Sequence, residues 1–566
     1  MNKSIPLLLL SLFLCLDTYS QLSTHEQPIS FSIDSKVFKM NHPITTITLP
    51  ELDMVQIEKE DREAEEYDMP IRFGYQHWVN YNLNNSGTWY ELPNGDKLWM
   101  MNVICPNALS INFCYKQFWI PEGGKFFIYS KDKKQSIGAF TSKNNKGDRN
   151  NIRGFATGLV YGSDVILEYY QPKEITTDAL ISIDCIVHGY RYINFGNEAF
   201  GQSGSCMVNV NCEEGQNWQY EKRGIAKIII EGAYYCSGSL VNTTNLSEEP
   251  FFLTANHCMT VVGKDAEDNP NLDYTFFYWN YEIPGCINSS VNPTPYSTSG
   301  ARILANKSYS DFALLRLTED PKELTNYNPF YLGWDCSGQS GDPGVCIHHP
   351  MGDVKKISTV DNLPESSYYK SSSWDGDSHW TVGWAYTING HSMTQGGSSG
   401  SPLINATHRV IGQLHGSTCR DCNNSNGRSF YGKFSVSWAS NNNDSMCRRL
   451  NCWLDSLNTG LQTIDGLFVI PAMKTFATDQ QIYSNIRITS TGQLTIQSEI
   501  ELMGNSRMIV ESGGKLIIDG GTLSNVDLVL KSGASLQIIN HGTLDTRNGF
   551  EAPLGAVVDV EEGQIL

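Results

Sequence analysis

The chain has 566 residues, enough for about three or four domains of ordinary size, and its 40% hydrophobic content is typical of globular domains with buried cores. A formal net charge of -19 argues against a nucleic-acid partner, because binding phosphates requires concentrated Lys and Arg. Part of the negative charge lies in EKEDREAEEYD at 58–68, which we interpret as a solvated helix face, with a flexible segment as the alternative.

Residues 1–20 have the layout of a secretory signal peptide. Lys3 precedes an apolar run from Ile5 to Leu16, and small or polar residues follow, so cleavage is expected after Ser20. This run is too short for a stable membrane anchor, and no later segment approaches about 18 uninterrupted apolar residues. We therefore expect a secreted or cell-surface protein with no membrane span.

The next two regions, 21–200 and 201–467, both show strand patterns. In the first, apolar strands alternate with Gly- and Lys-containing turns at 118–140, and SDVILEYYQP (163–172) ends a strand at a proline. In the second, WLDSL predicts one short helix, and strands are predicted at GIAKIII (224–230), ARILA (301–305), FALLRL (312–317) and RVIGQL (409–414). The fold class is therefore all-β.

Residues 475–566 differ in composition, since they contain neither cysteine nor tryptophan. Short strands such as QLTIQ, KLIIDGG and SLQIIN recur between polar turns. This pattern predicts a small β-solenoid, whose rungs bury their apolar faces on one another, with a two-sheet sandwich as the alternative.

Three residues in different segments form a possible catalytic set. Ser399 lies in TQGGSSGSP, a stretch that alone is typical of an ordinary turn. His257 follows an apolar strand in FFLTANHC, and Asp311 precedes one in KSYSDFALLRL. The order His, Asp, Ser is that of chymotrypsin-like proteases, whereas subtilisins and α/β-hydrolases use other orders.

Residues 203–467 resemble the bacterial lysyl endopeptidase family. The matching stretches are SGSCMVNVNC, CSGSLVN, FLTANHC, FYWNYEIPGC, SDFALLRL, GWDC, CIHHP, SSGSPL, VIGQLHG and WLDSLNTGLQTIDGL. The resemblance implies a trypsin-like double β-barrel, two six-stranded antiparallel barrels with the active site between them. His257 is then the general base, Asp311 orients it, Ser399 is the nucleophile, and the N–H groups of Gly397 and Ser399 form the oxyanion hole.

Fifteen cysteines, one of them (Cys15) in the predicted signal, suggest disulfides in an oxidising compartment. The resemblance implies Cys206–Cys419, Cys212–Cys286 and Cys236–Cys258. From proximity we add Cys336–Cys346, Cys447–Cys452 and Cys105–Cys114, which leaves Cys185 to pair with Cys422. The alternative is a metal site at Cys419 and Cys422 with His348 and His349, but no second CxxC supports it, so we expect neither metal nor cofactor.

The specificity pocket departs from the family. Lysyl endopeptidases place an acidic residue two positions before a Tyr-Gly pair, and here GRSFYG puts Ser429 there. The trypsin arrangement does not replace it, because Met393 stands six positions before Ser399. His415 and Trp374 match a stacked His–Trp pair beside the pocket.

Three alternatives remain for the residue bound before the cleaved bond (P1). In the first, Asp421 enters the pocket and keeps a preference for Lys or Arg. In the second, Ser429 and His415 select an acidic or polar side chain. In the third, the pocket is unselective. We favour retained Lys or Arg preference slightly, because the rest of the family pattern is intact. The sequence before GQSGSC is NEAF, so processing there needs another protease, or self-cleavage after Glu198 or Phe200.

We interpret 21–200 as a propeptide that assists folding and restrains activity, and 475–566 as a β-repeat domain that resembles the tails of exported Bacteroidetes-type proteins. The expected partners are peptide substrates and the chain's own propeptide, and the expected state is a monomer. The competing hypothesis is a catalytically dead surface adhesin on a protease scaffold. The intact triad weighs against it.

Overall fold

The computed structural model describes residues 26–33, 43–66, 69–191, 203–288, 293, 295–324, 327–369, 377–419, 422, 427–439, 448–504, 506–546 and 549–566. The predicted signal peptide and the predicted processing junction, with Glu198 and Phe200, lie outside these residues. The α-helices of the described part are α1 (Ile29–Ser32), α2 (Met54–Glu66), α3 (Asn256–Thr260), α4 (Phe434–Ala439) and α5 (Asn451–Leu454). None of the helices in the described ranges is long and apolar enough to cross a membrane. Strands dominate, which agrees with the all-β prediction.

The region before residue 192 forms two sheets over one apolar core. Its strands are β1 (Thr45–Thr48), β2 (Ile71–Arg72), β3 (Gly74–Asn82), β4 (Thr88–Glu91), β5 (Lys97–Ile104), β6 (Ser110–Trp119), β7 (Lys125–Ser130), β8 (Ser136–Phe140), β9 (Phe155–Ala156), β10 (Val160–Tyr161), β11 (Asp164–Gln171) and β12 (Leu180–Gly189). One sheet has the order β1-β5-β11-β7-β8 with β4 beside β5, and the other has the order β10-β6-β12-β3 with β9 beside β6. Met101 and Leu167 of the first sheet and Phe113 and Ile183 of the second are buried in the shared core.

The middle region contains a closed barrel of six antiparallel strands. Its strands are β13 (Val208–Asn209), β14 (Ile225–Ile230), β15 (Tyr234–Leu240), β16 (Phe251–Ala255), β17 (Asn271–Trp279), β18 (Tyr296–Lys307), β19 (Phe312–Leu317), β20 (Phe330–Tyr331), β21 (Gly333–Asp335), β22 (Val345–His348), β23 (Lys356–Thr359), β24 (Glu365–Ser367), β25 (His379–Val382), β26 (Pro402–Ile404), β27 (Arg409–Ser417), β28 (Ser429–Lys433) and β29 (Thr463–Ile464). The barrel order is β14-β17-β18-β19-β16-β15, and it closes because β15 also pairs with β14. Ile228, Phe277 and Leu315 are buried in its core.

The middle region also contains a second sheet, whose strands apart from β13 follow the barrel in sequence. Its order is β13-β23-β22-β26-β27-β28-β25-β24, with β21 beside β27 and β29 beside β21. The described residues contain no pairing that closes this sheet, so the second six-stranded barrel stays a prediction. The predicted strands at 224–230, 301–305, 312–317 and 409–414 correspond to β14, β18, β19 and β27, and the predicted short helix overlaps α5.

The C-terminal region is a three-sided parallel β-solenoid. Its strands are β30 (Gly466–Ile470), β31 (Met473–Phe476), β32 (Gln480–Ile482), β33 (Ser484–Ile488), β34 (Gln493–Ile496), β35 (Glu499–Leu502), β36 (Arg507–Val510), β37 (Lys515–Asp519), β38 (Thr522–Ser524), β39 (Asp527–Leu530), β40 (Ser535–Ile539), β41 (Thr543–Leu544), β42 (Gly549–Glu551), β43 (Val557–Val560) and β44 (Gln564–Ile565). Each turn adds one strand to each of three parallel sheets, so the solenoid prediction is confirmed over the sandwich. The first strand, β30, also pairs with β20 of the middle region.

The N-terminal region packs on the barrel through the turn between β14 and β15. The Phe73 N–H donates to the Ala233 carbonyl at 2.9 Å, and Gln76 Nε2 donates to the Glu231 carbonyl at 2.7 Å. Side chains of both regions share one buried apolar cluster, which includes Phe73 and Tyr278. The two regions are therefore joined by main-chain bonds and a common core.

The acidic segment at 58–68 is helical over most of its length, but it is not only a solvated face. Asp61 of α2 is 4% exposed and lies 2.9 Å from both the Arg72 and the Arg191 guanidinium. Glu60 pairs with Arg72, and Glu65 pairs with Arg191. The inner side of the helix thus binds two arginines of its own region.

Candidate active site

The strand register of the barrel brings His257 and Asp311 together. β16 and β19 are antiparallel with Ala255 opposite Phe312, so the residues that follow β16 meet those that precede β19. Asp311 Oδ2 lies 2.7 Å from His257 Nδ1, and Asp311 Oδ1 accepts the main-chain N–H of His257 at 2.9 Å. One carboxylate therefore orients both the ring and the backbone of His257.

Asp311 is held in a strained and buried position. Its side chain is 2% exposed, and its backbone φ of +53° lies in the left-handed region that residues other than glycine seldom adopt. Burial by itself raises the pKa of this carboxyl, but the charges of His257 and His415 and the hydrogen bonds from His257 hold the pKa below its usual value. Asp311 is therefore ionised at neutral pH and faces the imidazole.

β15 holds the loop that carries Ser399. The Ser237 N–H donates to the Ser399 carbonyl at 2.8 Å, and Ser237 Oγ donates to the Gly397 carbonyl at 2.9 Å. Gly397 has a φ of +86°, and a Cβ there would overlap the Tyr235 ring. Gly400 has a φ of +81° and lies so close to β16 that no side chain fits. The shape of the serine loop thus depends on two glycines.

Two main-chain donors in this loop make no hydrogen bond to a described residue. The N–H groups of Gly397 and Ser399 have no acceptor within the described part of the chain, whereas those of Ser398 and Gly400 are bonded to main-chain carbonyls. Free N–H groups on alternate residues suit the binding of an oxyanion. The half-buried Ser399 hydroxyl also makes no hydrogen bond to a described residue, as is common for catalytic groups without a bound substrate.

A disulfide joins the serine side of the site to the histidine side. Cys236 of β15 is bonded to Cys258, the chain neighbour of His257. The Cys258 sulfur lies 3.9 Å from His257 Nε2 and 4.0 Å from the Ser399 carbonyl oxygen. Since one sulfur contacts both residues, His257 and Ser399 are near neighbours.

The disulfides among described residues are Cys206–Cys422, Cys212–Cys286 and Cys236–Cys258. The expected Cys206–Cys419 pair is wrong, because Cys206 is bonded to the other cysteine of CRDC and Cys419 is a buried free thiol. The Cys185–Cys422 pair is excluded by the same bond. Cys422 is therefore also not free to act as a metal ligand.

Two further expected pairs are absent from the described residues. Cys105 and Cys114 are free thiols, and the antiparallel register of β6 and β12 places Cys114 opposite Cys185, which is also free. Cys336 and Cys346 are also free, and they lie by strands, β21 and β22, that are not paired with each other. Cys452 is disulfide-bonded, but Cys447, its expected partner, lies outside the described residues.

His415, on β27, lies against the His257 ring. The two ring centroids are 5.7 Å apart, and His415 Nε2 is 3.8 Å from Asp311 Oδ2. His415 Nδ1 lies 2.9 Å from Nε2 of His379 on β25. Burial, followed by the charge of His415, lowers the pKa of His379 to about 3. A neutral His379 therefore fixes the orientation of His415.

A further ring that contacts His415 among the described residues is that of Tyr369. The two rings are 4.3 Å apart, and a Cβ on Gly416 would overlap the Tyr369 hydroxyl. Trp374, predicted as the stacking partner, lies outside the described residues. The tyrosine therefore covers the edge of β27 beside the candidate base.

Ser429, on β28, is buried in a network of neutral groups. Its Oγ accepts from Trp384 Nε1 at 3.0 Å and lies 2.6 Å and 3.1 Å from the hydroxyls of Thr394 and Ser417. The buried Cys419 thiol adjoins the same groups. The hydroxyl at the family's acidic position is thus already bonded on several sides.

The other two positions considered for charge recognition supply no carboxylate within the described residues. Met393 is buried in an apolar cluster with Leu414 and Tyr431. Asp421 lies outside the described residues. The described groups that bond the Ser429 hydroxyl are therefore all uncharged.

Sequence reasoning did not single out Ser237, His379, Tyr369 or the role of His348. His348 Nδ1 lies 2.7 Å from the Ser398 hydroxyl, and burial, followed by the charge of Lys356, lowers the His348 pKa to about 3. His348 therefore braces the serine loop as a neutral ring. The strand pattern of CSGSLVN could have indicated the position of Ser237. Successive side chains of a strand point to opposite faces of the sheet, so Ser237 lies on the face opposite to that of the disulfide-bonded Cys236.

Two clusters in the described residues bring three possible metal ligands within 4.8 Å of one another. One consists of His257 with Cys236 and Cys258, whose sulfurs form a disulfide and offer no thiolate. The other consists of Asp311, His257 and His415, in which Asp311 Oδ2 is already bonded to His257. Both clusters thus use groups that the protein itself occupies.

Residues 200–432 match the sequence model of the family described as "Lysyl endopeptidase, C-terminal domain", which is less than half of the chain. A curated lysyl endopeptidase of Pseudomonas aeruginosa is 29% identical over 242 residues, or 40% of this chain and 47% of that protein. The chain thus spans about half the length of the relative. Two solved structures are also similar to part of this chain: the inactive form of the Rv3671c protease and the inactive Ser-to-Ala mutant of Rv3671c from M. tuberculosis H37Rv. Both are 15% identical to this chain with a TM-score of 0.24, and both matches cover 38% of this chain. They cover 84% and 82% of the solved chains, and the TM-score is too low to support a structural comparison. The stretch that carries all three candidate catalytic residues is therefore similar to the lysyl endopeptidases.

Proposed function

We propose that the protein is a secreted serine endopeptidase that cleaves peptide bonds through an acyl-enzyme, with Ser399, His257 and Asp311 as catalytic residues. The observation that carries the proposal is the 2.7 Å contact of buried Asp311 with His257, beside a serine loop in which two main-chain donors bond no described residue. The likeness of residues 200–432 to lysyl endopeptidases supports the same reaction.

In the proposed reaction, His257 Nε2 takes the proton of Ser399 Oγ as the oxygen attacks the substrate carbonyl carbon. Asp311 keeps the other ring proton on Nδ1 and stabilises the imidazolium. The N–H groups of Gly397 and Ser399 bind the oxygen that becomes negative. His257 then gives its proton to the leaving amine, and a water molecule repeats the sequence to release the acyl group.

For the P1 side chain, the described contacts favour altered specificity over retained Lys or Arg preference. An ammonium group that entered beside Ser429 would lose its water and meet only neutral groups among the described partners of this hydroxyl, and that loss is costly in a buried site. The Ser429 hydroxyl, bonded to Trp384 and Thr394, suits an uncharged side chain. We therefore propose an uncharged P1 residue.

We further propose the same roles for the flanking regions that the sequence suggested. Residues 21–200 serve as a propeptide, which is consistent with the hydrogen bonds from Phe73 and Gln76 to the Ala233 and Glu231 carbonyls of the barrel. The disulfides fit an extracellular location. N-terminal sequencing of the active secreted form tests the propeptide role, and an active form that keeps residues before 190 would exclude it.

A P1 profile of the processed protein tests the function. Peptides that differ only in P1 (Lys, Arg, Glu, Ala, Phe) are assayed with Ser399→Ala as the blank, and we expect turnover that is highest for Ala or Phe. Dominance of Lys or Arg would contradict the proposed specificity and leave the reaction intact. Absence of turnover above the blank would contradict the enzyme, and surface binding that Ser399→Ala retains would then favour the adhesin.

A further inference from the structure

A strand of the N-terminal region lies at the candidate active site. β2 pairs antiparallel with β15, with Ile71 opposite Tyr235 and Arg72 opposite Tyr234. β15 is also the strand that holds the serine loop, since Ser237 binds the Ser399 carbonyl. A piece of the N-terminal region is thus added to the edge of the strand that shapes the site.

The Ile71 side chain contacts the serine loop itself. It is 7% exposed, and a Cβ on Gly396 would overlap its Cδ1 atom. The next residue, Gly397, lies in the same way against the Tyr235 ring, which is the register partner of Ile71. Ile71 therefore covers one side of the loop next to a proposed oxyanion donor, while Gly396 stays exposed on its other side.

The position of β2 indicates which part of a substrate it replaces. Ser429, at the proposed P1 site, lies on β28 of the second sheet, whereas β15 is tied by Cys236–Cys258 to the His257 side. His257 gives its proton to the leaving amine in the proposed reaction. An extended chain paired with β15 therefore lies on the leaving-group side of the cleaved bond, and pairing with a strand edge is a common way to bind extended peptides.

Helix α2 holds this strand in place. Arg72 Nε donates to Asp61 Oδ1 at 2.9 Å and Arg72 Nη2 to Glu60 at 3.0 Å. Asp61 also accepts from the Tyr190 hydroxyl at 2.8 Å and pairs with Arg191 at 2.9 Å. The buried Asp61 thus joins the strand to the C-terminal end of its own region.

We propose that β2 is a self-blocking strand, held by Asp61, that occupies the leaving-group side of the substrate cleft as long as the N-terminal region is attached. This inference rests on the proposed endopeptidase function. It predicts that the uncut chain is inhibited most strongly towards substrates that extend beyond the cleaved bond. A short substrate, which ends in a chromogenic leaving group directly after P1, does not compete with β2 for the β15 edge.

The test uses the full-length chain before processing, shown to be intact by mass, with the P1 residue that the processed protein prefers. Turnover is measured for the chromogenic substrate and for a peptide with four residues after the cleaved bond. For each substrate we divide the turnover by the processed protein by the turnover by the uncut wild type. We expect this ratio to be at least about 10-fold larger for the longer peptide than for the chromogenic substrate. Ile71→Ala and, separately, Asp61→Asn should reduce this difference towards that of the processed protein.

Arg153→Ala is the matched control. Arg153 pairs with Asp273 across the same interface, but on β17 rather than at the serine loop, so its loss should leave the difference between the substrates unchanged. If the uncut wild type treats both substrates alike, or neither Ile71→Ala nor Asp61→Asn narrows the difference while the processed protein is active, the strand proposal is wrong and the function stands. If the processed protein is inactive on both substrates, the function and the strand proposal fall together.

Discussion

The proposed catalytic pair and the proposed specificity position lie on different sheets and are held in different ways. His257 and Asp311 lie at the ends of paired barrel strands, so the register of β16 and β19 alone brings them together. Ser429 lies in a network of hydroxyl, indole and thiol groups that come from several separate segments. The strands that set this register can be predicted from the local pattern of apolar residues in the sequence. The hydrogen-bond network of Ser429 depends instead on tertiary contacts between segments that are far apart in the chain. The chemistry of a site can therefore be expected from sequence when its selectivity cannot.

The first prediction tests the barrel side of this comparison and has the largest effect. Asp311→Asn should lower kcat on the order of 10⁴-fold, because an amide in this place favours the wrong imidazole tautomer and cannot stabilise the imidazolium. Single-turnover and steady-state rates with the best P1 peptide measure the loss. A variant that folds with wild-type thermal stability and loses less than tenfold would show that Asp311 is not the orienting carboxylate.

The next effect concerns the donors between the two sheets. Gly397→Ala should lower kcat by about 10²–10³-fold, since the added methyl group overlaps Tyr235 and moves an oxyanion donor. KM for the same peptide should change little, because the lost interaction is made in the transition state. An equal loss in kcat and in substrate affinity would instead indicate general collapse of the loop.

A third prediction concerns the brace on the serine loop from the second sheet. Because burial and Lys356 lower the folded-state pKa of His348 to about 3, the unfolded chain binds a proton near pH 6.5 that the folded chain does not. The stability from neutral His348 is therefore present above pH 6.5 and is lost by about 1.4 kcal/mol per pH unit as pH falls towards 3. Urea unfolding between pH 4 and 7 should show a shallower pH dependence for His348→Gln than for the wild type. Parallel profiles would mean that His348 does not titrate in this way.

The smallest effect tests the specificity side. Ser429→Asp should raise the ratio of kcat/KM for a Lys peptide over an Ala peptide by at least about 10-fold, because a carboxylate then faces the ammonium group. Ser429→Asn, similar in size and uncharged, is the control and should leave the ratio near that of the wild type. No change with Asp would place P1 recognition away from this position and make Asp421 the next residue to replace.

The parts of the fold that follow a period were predictable from the sequence. The strand at 312–317 is β19 with the same bounds, and the spaced apolar segments after 475 became the solenoid. Cysteine pairing was less predictable from the sequence. CRDC contains two cysteines three residues apart, and Cys206 forms its disulfide with the second of them, Cys422. The contacts of Ile71 with Gly396 and of His379 with His415 join segments far apart in the chain, and no local pattern reports them.

The shared strand β30 has a consequence for the tail. β30 is at once the antiparallel partner of β20 and the parallel template for β33, and its Phe468 lies in one apolar cluster with Phe330 and Ile486. The solenoid and the preceding region therefore share a strand and an apolar cluster, and they are not joined only by a linker. A truncation before Gly466 would remove β30, the strand that pairs with β20 of the preceding region. A truncation after Ile470 would keep β30 paired with β20 and would expose the edge of β30 that now pairs with β33.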